Sequence, residues 1–157
     1  MLAMRAKLAH YMDTGDSNTP VWSRIGEGFT DFTESKNAQE YTRQYINEQT
    51  ETTDVTGYSP SIAYSADVYD DDPVCQKVVE ISDDELVGDA AQVEIVTANE
   101  YEITGSETTC TAYKRTYSVI PDQKGSGVQQ LVYTGTLRAV GDQVKGTFNP
   151  ETKTFTA

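Results

Sequence analysis

Ile62, Tyr64, Ala66 and Val68 alternate along the chain with Ser61, Ala63, Ser65 and Asp67. A period of two predicts a strand with one buried and one wet face. The same alternation returns in Leu131, Tyr133, Gly135, Leu137 and Ala139 against Val132, Thr134, Thr136 and Arg138. Gly141-Asp142 then reads as a turn into Val144, Gly146 and Phe148, which together predict a hairpin. Val93 to Val96 and Ala112 to Ile120 supply two more strands, and Lys7 to Met12 alternates as an N-terminal one. Asn149-Pro150-Glu151-Thr152 has turn chemistry, so the chain is expected to end in a short strand through Phe155 pinned to the sheet.

Two stretches break this period. Asp72 suits a helix N-cap and Pro73 its first position, and Val74, Val78 and Ile81 recur at helical spacing, so a single helix is predicted over 73–87, stopped by Gly88. From Asn47 to Gly57 the chain is almost wholly polar. With little to bury, it is expected to project as a long loop between two strands, and loops of that length in a compact domain are usually functional.

The class is therefore mainly β, with one flanking helix. At 157 residues the chain has the size of one domain, taken as 1–157, and 37% apolar residues with ten Tyr and four Phe supply a real core. No apolar run approaches the roughly 18 residues of a membrane span. The start, Met1 to Leu8, lacks the pattern of an export signal. No membrane association is expected.

Charge changes the picture more than composition does. Residues 44–113 hold sixteen acids against Lys77, whereas residues 114–157 hold six basic and three acidic side chains, within an overall net charge of −13. Such a chain repels phosphates and is a poor candidate for gripping nucleic acid.

Candidate chemistry is sparse. Cys75, Cys110 and the one histidine, His10, cannot supply the four ligands of structural zinc, and the two thiols are expected to be free and buried. His10 reads as a solvent-facing strand residue without a nucleophile partner. Asp70-Asp71-Asp72 and Asp83-Asp84-Glu85 lack the ligand spacing of a calcium loop and read as capping and turn residues. Gly125-Ser126-Gly127 reads as a turn rather than a phosphate loop, and Trp22 as a core or interface anchor. No cofactor, metal or catalytic residue is expected.

One order of motifs runs nearly the whole length. The basic strand Lys7 to Met12 leads through Asp13-Thr14-Gly15-Asp16 to Pro20-Val21-Trp22-Ser23-Arg24-Ile25-Gly26-Glu27-Gly28; Phe29 to Thr33, Asn37 to Ile46, Thr56 to Ile62 and Gly146-Thr147-Phe148 follow. This succession resembles the tail tube, or major tail, proteins of long-tailed bacteriophages. The resemblance implies a β-sandwich or barrel with one flanking helix, a protein of the virion tail assembled in the host cytoplasm. It also implies six-membered rings stacked head to tail as a conduit for DNA, with a tape measure protein and terminator or tip proteins as further partners. The long loop, with Asn47, Glu48, Thr50, Glu51, Thr53, Asp54, Thr56 and Tyr58, would then reach the adjacent ring. An acidic lumen would pass DNA without adhesion, and Asp67 and Glu94, on the polar sides of their strands, are its candidates. The rival expectation is a monomeric β-sandwich module for adhesion or carbohydrate binding.

Overall fold

The computed structural model describes residues 2–16 and 18–157, so Met1, read above with the N-terminal segment, lies outside them. Strands β1 (Leu8–Asp13), β2 (Trp22–Ile25) and β3 (Phe29–Ser35) open the chain; β4 (Ala38–Arg43), β5 (Thr52–Tyr58) and β6 (Ser61–Asp67) follow. After helix α1 (Pro73–Asp83) come β7 (Gln92–Asn99), β8 (Cys110–Lys124), β9 (Val132–Asn149) and β10 (Thr154–Thr156). Seven strands form one antiparallel sheet in the order β2-β1-β7-β8-β9-β6-β3, with β10 added to β9. β4 and β5 pair only with each other.

The sheet curls over its inner face. Phe32 on edge strand β3 meets His10 near the opposite rim, and the Arg5 guanidinium bonds the carbonyls of both Phe32 and Leu8 at 3.0 Å. Inside the curl lie Met12, Ile62, Tyr64, Val93, Ile95, Tyr117, Val119 and Leu137, covered by Val74, Val78 and Ile81 of α1. A second cluster, with Tyr11, Trp22, Val96, Ala98, Ala112 and Phe148, lies on the other face at one end under Ile103 and Phe155. Ile62, Val74, Val96 and Phe148 are fully enclosed; burial of each favours the fold by about 1.5–3 kcal/mol.

Local chemistry sets the boundaries. The Asp72 carboxylate accepts from the Val74 amide at 3.0 Å and caps α1. The helix ends at Asp83, four residues before the expected stop, because Glu85 turns left-handed with φ 50° and the Leu86 amide reaches back to the Ile81 carbonyl at 3.2 Å. That is a Schellman ending with Leu86 against the core, and Gly88 is left to a 3-10 turn. At the other end of the chain, the Asn149 side chain accepts from the amides of Glu151 and Thr152, folding β10 back onto β9 as expected.

Three further expectations are corrected. Residues 131–148 are not a hairpin: β9 runs unbroken for 18 residues, and Gly141-Asp142 sits in a bulge where Arg115 of β8 is opposed by extra residues between Val140 and Val144. Gly141, with φ 75°, turns left-handed without reversing the chain because β8 continues alongside. The loop Asn47 to Gly57 is half strand, since Thr52 onward pairs with β4. His10 does not face solvent; it is 4% exposed.

Candidate functional site: the outer sheet face and the hairpin arm

Directly paired residues in an antiparallel sheet project to the same side, so register maps the outer face. Asp31, Thr33 and Ser35 of β3 lie beside Ser65, Ala63 and Ser61 of β6. These lie beside Thr134, Thr136 and Arg138 of β9. Thr136 and Arg138 pair with Ile120 and Ser118 of β8, and Ser118 and Thr116 with Gln92 and Glu94 of β7. Short hydroxyls therefore pave a continuous area, with Asp31, Asp67 and Glu94 as its acids and Arg138 as its base; Lys114, paired with Val96, follows on the same face at the end under Phe155. Both lumen candidates read from sequence fall on this one face, opposite α1. Asp31 joins them, which alternation alone could not reveal because β3 carries a register shift between Phe29 and Asp31.

The paving depends on what lies beneath. Tyr64 fills the inner side below Gly135, where a Cβ would stand 2.6 Å from the Tyr64 hydroxyl and from the Ile120 carbonyl. Glycine at 135 thus lets the aromatic ring sit flush under β9. At the β2–β3 turn, Gly28 takes φ 85° and its carbonyl accepts from the Asp67 amide at 2.7 Å, fixing the end of β6 from which the Asp67 side chain leaves.

The second feature is the arm made by β4 and β5. Asn47, Glu48, Thr50 and Glu51 form its tip, whereas Thr53, Asp54, Thr56 and Tyr58 lie in β5. Thr42 and Thr53 hydroxyls bond across the pair at 2.9 Å, and Arg43 is ion-paired with Asp54. The Arg43 guanidinium also lies over Tyr41 at 5.4 Å and Tyr45 at 5.6 Å. Tyr41, Tyr45, Ile46, Val55 and Tyr58 are all well exposed, Ile46 completely. At the root, Asn37 adopts φ 48° and its amide donates to the Ser59 carbonyl at 3.0 Å and the Ser61 hydroxyl at 3.1 Å. The polarity of 47–57 announced projection; the alternating Tyr41 and Val55, set among Thr and charged residues, was the missed signal for a hairpin.

The acidic runs have structural partners. Asp72 caps α1, and Asp83 accepts from the Lys124 ammonium and the Tyr133 hydroxyl, both at 2.9 Å. These bonds, Lys124 first, hold the Asp83 carboxyl below its ordinary pKa. Among the described residues no three metal-ligating side chains converge. Cys75 and Cys110 are free and buried.

A curled antiparallel sheet with one covering helix and a projecting hairpin is a tail-tube-type fold. Solved structures carry the likeness. A chain in the tail of an empty gene transfer agent (GTA) particle with C6 symmetry superimposes with a TM-score of 0.62 at 16% identity, over 99% of this chain and the whole of that one. A chain in the six-fold symmetrised baseplate of the anti-feeding prophage gives a TM-score of 0.52 at 12% identity, over 92% of this chain and 95% of that one. No protein-family profile matches the chain, and no curated protein sequence does. At these identities the likeness is one of fold.

Proposed function

We propose that this chain is a structural protein of a phage-type tail, assembling into six-membered rings that stack into a tube through which DNA leaves the particle. The observation that carries the reading is the outer sheet face: hydroxyl-rich, and bearing Asp31, Asp67 and Glu94 against Arg138 and Lys114. Small neutral hydroxyls, with more carboxylates than the bases Arg138 and Lys114, repel phosphate on balance, so a polyanion slides along such a wall without sticking. The exposed aromatic residues of the arm supply a surface that a monomer leaves unpaired. One structural neighbour comes from a C6-symmetric tail and the other from a six-fold symmetrised baseplate. In this reading the tube would enclose a tape measure protein and meet terminator and tip proteins at its ends, after assembly in the host cytoplasm.

Electron microscopy and sedimentation of the purified protein at rising concentration test it. Rings or tubes with six-fold symmetry support the reading. A protein that stays monomeric at every concentration, alone and with its tail partners, would falsify it and favour an adhesion or carbohydrate-binding module.

A further inference from the structure

At the root of the arm, where β9 bulges away from β8, a recess of about 350 Å³ is lined by Lys36, Tyr58, Pro60, Arg115 and Gln143. Its side chains offer an ammonium, a guanidinium, a phenol and an amide, a set dominated by donors. Arg115 has a buried Nε with no hydrogen-bond partner, and a buried donor left unmade is costly. The nearby carboxylate is Glu34, already engaged by Lys36 at 2.5 Å. Two cations against one committed acid leave the recess net positive on a chain whose total is −13.

We propose that this recess is a carboxylate-accepting contact for a second copy of the chain, filled by an acidic side chain from that copy's residues 44–113. The inference rests on the self-assembly reading above. Charge complementarity names the occupant: residues 44–113 carry sixteen acids and one base, so almost any approach of that segment presents a carboxylate. The carboxylate completes the donors of Arg115 and Gln143 and shares Lys36 with Glu34. Charge-assisted bonds of this kind are directional as well as strong, so the contact also fixes how two copies are rotated about each other. An acid from one surface meeting a base on a different surface is a head-to-tail contact, which repeats instead of closing on itself.

The test mixes unlabelled and nitrogen-15-labelled full-length protein and treats the mixture with a water-soluble carbodiimide, which joins an amine to a contacting carboxyl with loss of water. Mass spectrometry should find mixed-isotope peptides joining Lys36 of one copy to an acid between 44 and 113 of another; a bond to its own Glu34 carries one isotope and is discounted. Arg115→Gln removes the guanidinium, and Gln143→Glu fills the recess from within at an exposed bulge position that leaves the fold intact. Each should lower the mixed product at least about tenfold, the scale of one lost charge-assisted hydrogen bond. Absence of the mixed product, or its persistence in Gln143→Glu, overturns the contact. Rings without the product overturn this inference and spare the tube reading; the product without rings sustains the contact and overturns the tube.

Discussion

The rings of His10 and Phe32 meet with centroids 4.6 Å apart, and this contact joins edge strand β3 to β1, the strand next to the opposite edge of the curled sheet. His10 Nδ1 lies 3.2 Å from the Thr97 hydroxyl, while Nε2 is buried without a partner. Burial, reinforced by the positive charges of Arg5 and Arg24, pushes the imidazole pKa down to about 4. The folded state therefore holds His10 neutral.

The sign of the pH dependence follows. Above the ordinary pKa of 6.5 the imidazole is neutral folded or unfolded and costs nothing; as pH falls from there toward about 4, the unfolded chain takes the proton first and stability drops. A shift of this size corresponds to about 3 kcal/mol. Urea midpoints of the wild type and of His10→Gln, compared between pH 7.5 and 4, isolate it, since carboxylates titrate in both. A parallel pair of curves would sink the assignment, and the single histidine makes the NMR titration unambiguous.

Glu85 closes α1 with a left-handed backbone that only glycine adopts without strain. Glu85→Gly should raise stability by about 1 kcal/mol, read as a higher urea midpoint with unchanged slope. A fall would mean that the side chain, not the backbone, governs this ending.

Excision of the whole arm tests its role better than trimming its tip. Ala38 pairs with Tyr58, so a short Gly-Ser link from Asn37 to Ser59 can replace it. The arm forms a separate two-stranded sheet, so thermal unfolding of the remainder should shift little while ring or tube formation is lost. Normal tubes from the excised protein would assign the arm another task.

Asp67 and Glu94 share the outer face, and changing both to Lys reverses its field without touching either core cluster. Assembled particles should still form, and DNA ejection should slow, most at low salt, where screening is weak. Ejection at the normal rate and salt dependence would remove charge at these positions from the account.

Sequence was most legible where one face of a strand is buried and the other wet. Ile62 to Asp67 reads correctly because its period of two coincides with its burial. It failed where tertiary context overrides a local signal. Gly141-Asp142 has hairpin chemistry, yet β8 runs on beside it and absorbs the two as a bulge. His10 looks polar and exposed until β3 folds over it, a contact between residues far apart in sequence that no local pattern encodes. The helix overran because Glu85 shows no outward sign of the left-handed turn that glycine usually marks. Asp67 and Glu94 were singled out by alternation, but their shared face became visible only through the register of the three intervening ladders.

β9 pairs with β8 from Phe148 opposite Cys110 to Tyr133 opposite Lys124, and its 18 residues extend over about 60 Å at the usual strand rise. One of its ends lies in the cluster around Phe148 and its middle, at Leu137, in the cluster under α1. A pull along this strand would load a long row of cross-strand bonds together in shear instead of unzipping them one by one. The two halves of the chain are thus coupled as a stiff beam, and in the proposed tube flexing would fall to the joints between copies.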